Sequence, residues 1–312
     1  MEELFNNMNE ISVVVPVYNE ELIILELSKR IKNSVETITE DYEIILIDDG
    51  SSDRTWENII LETKKNNRLK GLRLSRNFGQ HYAITAGLDN CVGKWTVVMD
   101  GDLQDRPEVI PELFAKVQEG FDIVFVSRKN RPESLHYKVL QKTFYVLLRF
   151  FSGIKFDSSQ ANFSIISRKV VDSFKLFPEN ARFYGSIIKW LGFKRSKIWA
   201  DHGIRFEGKP SYTFRSRLRL AIDVILVFSE RPLKILSLIG ILSSIIFAIT
   251  LFLGFSGVNT FRELIQDTTY TNIFIIIAIV INTTFFAIFA VYIQKIFNQI
   301  KGRPLYIISE RI

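Results

Sequence analysis

The chain has 312 residues, 47% of them hydrophobic, with a mean hydropathy of +0.12. That length holds one large domain and a smaller part, and the apolar content is high for a soluble protein. One cysteine, Cys91, excludes an intrachain disulfide and agrees with a reducing compartment. The net charge of +6 is accounted for by attraction to anionic lipid heads, so nucleic acid is not an expected partner.

Residues 1–10 are acidic and lack a basic-then-apolar signal pattern, so nothing suggests secretion. From 11 to about 128, short β-branched runs at 11–17, 43–48, 69–74, 95–99 and 122–126 alternate with helical segments at 20–35, 54–66, 79–90 and 107–118. This alternation predicts βαβ units, hence an α/β fold with a mainly parallel sheet and helices on both faces. Ligands bind such sheets beyond the carboxyl ends of the strands. Three polar clusters fall there: Tyr18-Asn19-Glu20, Asp48-Asp49-Gly50-Ser51-Ser52-Asp53, and Asp100 to Gln104.

Asp53 with Thr55 behind it reads as a helix cap, worth about 1 kcal/mol. Asp48 and Asp49 repel one another unless something cationic or hydrogen-bonding sits between them. The apolar run at 95–99 ends in Asp100-Gly101-Asp102-Leu103-Gln104. Asp100, Asp102 and the Gln104 amide oxygen are hard ligands, suited to Mg²⁺ or Mn²⁺ bridged to phosphates rather than to Zn²⁺. Taken alone, Asp-x-Asp reads more readily as an acidic loop or a helix cap than as a metal site; the companion clusters turn the reading toward the metal. No Gly-x-Gly-x-x-Gly follows the first strand and no phosphate-loop signature occurs, which argues against a dinucleotide dehydrogenase and a P-loop NTPase.

After Arg128 the alternation stops. Over 136–151, Tyr137, Leu140, Phe144, Leu147, Leu148 and Phe151 share one helical face, which fits either the membrane interface or packing on the main domain. A strand is expected at 162–167 and a helix at 182–191. Over 216–229, Arg217 and Arg219 precede an apolar face, as in a juxtamembrane helix lying at the interface. Stretches 235–261 and 268–294 carry no charge and each exceeds the roughly 20 residues a spanning helix needs. They predict two transmembrane helices, about 234–255 and 272–294, rather than buried core helices, which rarely run so long without a polar face. Arg215, Arg217, Arg219, Arg231 and Lys234 precede this hairpin and Lys295, Lys301, Arg303 and Arg311 follow it. Both termini and the large domain are therefore expected on the cytoplasmic side of the inner or plasma membrane, in a multi-pass chain. The expected layout is a domain over 1–212, a juxtamembrane helix over 213–232, the hairpin over 233–294 and a cytoplasmic tail over 295–312.

Taken together, these residues resemble the family 2 glycosyltransferases of GT-A fold. They are most similar to the branch that loads a sugar onto a polyprenyl phosphate, such as dolichol-phosphate mannose synthases and bactoprenol glucosyltransferases. Val13-Val14-Val15-Pro16-Val17-Tyr18-Asn19-Glu20-Glu21 resembles the family's opening strand and nucleotide loop, and Asp48 to Thr55 its second acidic motif. Leu74-Ser75-Arg76-Asn77-Phe78-Gly79 is similar to its third segment, and Asp100 to Glu108 to its metal motif, with Arg106 where proline is commoner. Arg182-Phe183 with Trp190-Leu191-Gly192-Phe193 resembles the acceptor-side helix, Arg205 to Tyr212 the basic loop, and Gly302-Arg303-Pro304-Leu305-Tyr306 the tail of two-helix members. One departure stands out: Asp157-Ser158-Ser159-Gln160-Ala161-Asn162 replaces an Asp-x-Gly-Asp segment whose aspartate is a proposed catalytic group, so Asp157 matches it imperfectly.

The resemblance implies inverting, metal-dependent transfer of a hexose from a UDP-sugar, UDP-glucose first among them, to undecaprenyl phosphate. Pro16, Tyr18, Glu20, Asp49 and Asp100 would hold the nucleotide, Asp100, Asp102 and Gln104 the Mg²⁺ or Mn²⁺, and Asp102 the catalytic centre. The acceptor phosphate, largely a dianion at neutral pH, needs positive charge more than a base, and bidentate arginine supplies it best. Arg128, Arg131 and Arg205 are the candidates, though each also reads as a surface arginine. Other lipid acceptors, diacylglycerol or a lipid-linked glycan, and a non-catalytic membrane scaffold are the alternative readings. Family members often form homotetramers.

Overall fold

The computed structural model describes residues 9–129, 160–180, 182–201, 203, 231–255 and 268–312. Arg131, Asp157, Arg205 and the stretches 136–151 and 216–229 lie outside the described residues. The strands are β1 (Ile11–Val17), β2 (Tyr42–Asp48), β3 (Leu69–Leu74), β4 (Trp95–Val98), β5 (Ile123–Lys129), β6 (Gln160–Ser167), β7 (Arg195–Asp201) and β8 (Ile308–Arg311). The helices are α1 (Ile24–Val35), α2 (Thr55–Lys65), α3 (Gln80–Asn90), α4 (Ile110–Val117), α5 (Arg168–Lys175), α6 (Tyr184–Trp190), α7 (Arg231–Phe255) and α8 (Thr268–Ile300).

Among the described residues one sheet has the order β7-β5-β6-β4-β1-β2-β3-β8. Strands β3, β2, β1 and β4 run parallel, β6 is antiparallel between β4 and β5, and β8 is antiparallel to β3. Every residue of β1 and β2 is buried. That is the mark of central parallel strands covered on both faces, and it explains their continuous runs of Val, Ile and Leu. On one face α1 packs through Ile24, Leu27, Ile31 and Val35, spaced for a single helical stripe.

The expected strands and helices of 11–126 are all present, with ends shifted by a few residues. Elsewhere residues 168–175, for which no element was expected, form α5, and α8 runs on to Ile300, past the expected end at 294. Two further stretches differ from expectation. Residues 195–201 form β7, where only Ile198 is buried, so the apolar period that marks a half-buried strand is missing. Residues 308–311, expected only as tail, form β8 and return to the edge of the main sheet.

The described residues fall into two compact units: 9–129, 303–312 and the described part of 160–203 in one, 231–255 and 268–302 in the other. In the second unit α7 has 25 residues and α8 has 33. Within α8, Ile275–Ile300 is long and apolar enough to cross a membrane, with a mean hydropathy of 2.4; the apolar stretch found in α7, Leu233–Ile246, is shorter. Ile276, Phe286 and Ile300 are more than half exposed, and a continuous apolar surface of this kind marks contact with a partner or a membrane. Three polar side chains in the middle of α8, Asn282, Thr283 and Thr284, fold back on their own helix: Asn282 donates to the Ala278 carbonyl at 2.9 Å and Thr284 to that of Val280 at 2.8 Å. Such back-bonding satisfies hydroxyls and amides where water is absent.

Candidate functional site: the carboxyl edge of the sheet

Hydrogen bonds run continuously along the carboxyl ends of β1, β2, β3 and β4. Beyond β1, Asn19 adopts φ 53°, a left-handed conformation that asparagine tolerates. Its N–H donates to Ser51 Oγ at 2.9 Å, and its Oδ1 accepts from the Ser52 N–H at 2.9 Å. The Glu20 N–H donates to Thr55 Oγ1 at 2.8 Å and the Glu21 N–H to Asp53 Oδ2 at 3.2 Å. Asp53 Oδ1 also accepts from the N–H of Thr55, the first residue of α2, at 3.0 Å. Asp53 therefore serves the helix start, as its place in the sequence suggests, and pins the first loop as well.

The neighbouring acids Asp48 and Asp49 are both buried. Asp48 Oδ1 accepts from the Ser51 N–H at 2.9 Å, and Arg73 Nε lies 3.4 Å from Asp48 Oδ2. Asp49 receives the Phe78 N–H on Oδ1 and the Gly79 N–H on Oδ2, each at 2.8 Å. Burial pushes both carboxyls above their usual range, and these donors and Arg73 oppose the shift. The repulsion expected of adjacent acids is thus met by backbone amides and one guanidinium.

Next along the edge, Gln80 opens α3 and donates from Nε2 to Asp100 Oδ1 at 2.6 Å. The Asp100 N–H donates to Asp105 Oδ2 at 3.1 Å, and the Gln104 N–H to Asp102 Oδ1 at 3.1 Å. Gly101 packs where a Cβ would meet Val17 Cγ1 at 2.7 Å and the Pro16 carbonyl oxygen at 3.0 Å. Only glycine lets this loop lie against the end of β1. Gly203, beyond β7, closes the other side: its N–H donates to the Gln104 carbonyl at 3.0 Å, and a Cβ there would sit 2.7 Å from the Leu103 carbonyl oxygen.

The structure thus gathers Pro16, Tyr18, Glu20, Asp49, Asp100, Asp102 and Gln104 along one edge. Tyr18 is 45% exposed, open to a ligand. Arg128 lies near the carboxyl end of β5, paired with Ala200. Sequence reading missed Gln80 and Gly203, and placed Asp105 in the metal motif without its role of holding the Asp100 N–H. A polar residue opening a helix after Asn-Phe-Gly could have drawn attention to Gln80; Gly203 carries no local signal.

Among the described residues, no group of three His, Cys, Asp or Glu is placed to hold a metal unaided. Asp100 and Asp102 nonetheless fit Mg²⁺ or Mn²⁺. Such ions bind through one or two carboxylates and take further oxygens from substrate phosphates and water.

Arg182 is buried and donates from Nη1 to the Phe174 carbonyl at 3.2 Å and from Nη2 to that of Phe177 at 2.6 Å. It secures the chain after α5, while the next residue, Phe183, meets His81 edge to face at 5.3 Å. Burial lowers the His81 pKa to about 4, so this imidazole is neutral at pH 7.

A mixed, mostly parallel sheet of this order, with acids gathered at its carboxyl edge, is an α/β fold of GT-A type. The glycosyl transferase family 2 model matches residues 12–175, and the chain belongs to that family. It is 35% identical over 305 residues to the uncharacterized glycosyltransferase YkcC of Bacillus subtilis (strain 168), spanning 96% of this chain and 93% of that one. It is 30% identical over 317 residues to the undecaprenyl-phosphate 4-deoxy-4-formamido-L-arabinose transferase of Proteus mirabilis (strain HI4320), spanning 98% of this chain and 95% of the relative. The fold is shared with glucosyl-3-phosphoglycerate synthase of Mycobacterium tuberculosis, solved with Mn²⁺, UDP and phosphoglyceric acid. That match has a TM-score of 0.52 and 20% identity, and covers 72% of this chain and 78% of that one.

Proposed function

We propose that this glycosyltransferase moves a sugar from a UDP-sugar to undecaprenyl phosphate at the cytoplasmic face of the membrane. The observation that carries the reading is the hydrogen-bonded line of motifs from Asn19 to Gln104, in a chain that aligns nearly end to end with a relative named for that lipid phosphate. Pro16, Tyr18, Glu20 and Asp49 hold the nucleotide. Asp100, Asp102 and Gln104 would hold Mg²⁺ or Mn²⁺, which when bound would supply Lewis-acid stabilisation of the leaving diphosphate, worth several kcal/mol.

An oxygen of the acceptor phosphate attacks the anomeric carbon, the bond from that carbon to the diphosphate breaks on the opposite face, and the configuration inverts. Because the attacking oxygen is already ionised, no strong base is required and Asp157 is dispensable as one. Arg128, Arg131 and Arg205 position the phosphate. The proposed sugar is a hexose, with UDP-glucose the first donor to test; the Proteus relative is named for a pentose derivative, and a donor carrying that sugar is the competing candidate in the same screen.

The domain over 1–212 is catalytic, 213–232 lies at the interface, and two helices within 233–294 cross the membrane. What supports two crossings is that residues before α7 and after α8 belong to one folded sheet. Both flanks then lie on one side, and the chain between them crosses an even number of times. The abundance of Arg and Lys on those flanks favours the cytoplasmic side. A homotetramer is the expected assembly.

The test is formation of a chloroform-soluble labelled sugar by membranes carrying the protein. The expected outcome is dependence on Mn²⁺ or Mg²⁺ and loss of product in Asp102→Ala; full activity in a normally inserted Asp102→Ala protein overturns the site.

A further inference from the structure

Glu310 stands on a strand outside the 12–175 family match and is bonded to Trp56 of α2 and Arg73 of β3. Strand β8 is tied to β3 along its length. Gly71 and Ile312 exchange N–H···O bonds at 3.0 Å, and the Ser75 N–H donates to the Ile307 carbonyl at 2.9 Å. Glu310 stands directly opposite Arg73, the close cross-strand position at which side chains pair. Arg73 Nη1 donates to Glu310 Oε1 at 3.0 Å, and the buried Trp56 donates from Nε1 to Glu310 Oε2 at 3.1 Å. The same guanidinium lies 5.8 Å from the Trp56 ring centroid and places Nε 3.4 Å from Asp48 Oδ2.

That carboxylate oxygen is buried and makes no hydrogen bond. Arg73 therefore supplies compensating charge that a fully buried acid needs. The other Asp48 oxygen holds the Ser51 N–H, and Ser51 Oγ holds the Asn19 N–H. The tail also grips the end of β3 at Ser75, three residues before the Phe78 and Gly79 amides that bind Asp49.

We propose that Glu310 is a positioning residue for donor binding, acting through Arg73 and Asp48 to set the loops that carry Asn19, Ser51 and Asp49. The proposal rests on the donor-site reading above. It assigns to β8 a part in recognising the nucleoside diphosphate that no motif of the catalytic stretch contains.

The test uses the full chain in detergent with Glu310→Ala and Glu310→Gln, UDP and Mn²⁺ as the probe, and amide exchange as a second readout. Glu310 is half exposed, so neither variant threatens the fold. In Glu310→Ala, UDP affinity and exchange protection at Ser51 should each fall about two- to fivefold, the range expected of one half-exposed charge pair, with kcat at saturating donor unchanged. Glu310→Gln, which keeps one acceptor oxygen for Trp56 or for Arg73 but not for both, should recover part of each loss. The proposal is overturned if Ser51 exchange does not rise, or rises only when the Gly71 and Ile312 amides also lose protection, since the strand itself would then be the cause. Failure of the wild-type chain to bind UDP would refute the donor reading alone, and Ser51 exchange would still decide whether Glu310 sets the loop.

Discussion

Asp49→Asn separates two tasks that fall on one carboxylate. The substitution keeps the shape but turns one oxygen into an amide nitrogen, which then faces the Phe78 or Gly79 N–H across 2.8 Å. A hydrogen bond to a charged acceptor is worth about 1.5–3 kcal/mol, and an amide left without a partner costs about 1–3 kcal/mol. Against this, Asp49 is buried and its pKa is raised, so neutralising it returns part of the desolvation cost. The net expectation is a loss of about 2 kcal/mol, or roughly 4–8 °C in Tm for a domain of this size. Thermal unfolding of the solubilised protein reads the loss, and UDP titration on the same samples reads binding. If UDP binding falls while Tm stays within about 1 °C of wild type, Asp49 serves the ligand rather than the Phe78–Gly79 turn, and the anchoring argument is wrong.

Gly203→Ala should push a methyl group against the Leu103 carbonyl. An overpacking cost of about 1–3 kcal/mol predicts about a tenfold lower kcat/KM and a higher Mn²⁺ requirement; wild-type values for both would show that the Gln104 contact does not shape the loop. His81 gives a pH signature. Its folded pKa of about 4 lies below the ordinary 6.5, so the unfolded chain takes up the proton first as pH falls. Stability present above about 6.5 is therefore lost progressively toward about 4, by about 2 kcal/mol at pH 5. Replacing the histidine in His81→Phe should flatten the Tm profile between pH 7 and pH 5, and identical profiles would contradict the burial argument.

The central strands were legible because β1 and β2, covered on both faces, are runs of Val, Ile and Leu broken by polar residues only near their ends, at Ser12, Glu43 and Asp48. Their tips were legible because the polar clusters interrupt that run abruptly. Strand β7 was not, since Arg195–Asp201 buries little beyond Ile198, and β8 is four residues long with Ile308 its single apolar residue. For the site, residue types and positions along the edge could be read, but not the bonds between motifs. Gln80 to Asp100, Phe78 to Asp49 and Gly203 to Gln104 join stretches that only the sheet order brings together. The adjacent acids Asp48 and Asp49 announced that donors were needed, without showing that most would be backbone amides.

The most direct test of the central claim is acceptor competition on the purified full-length protein. Equal amounts of undecaprenyl phosphate and diacylglycerol are offered with Mn²⁺ and a panel of UDP-sugars, and the lipid product is identified by mass. The account predicts a polyprenyl monophosphosugar of inverted anomeric configuration, with UDP released in equal amount and no glycosylated diacylglycerol. A diacylglycerol glycoside as the main product, or a polyprenyl phosphosugar of retained configuration, would contradict it.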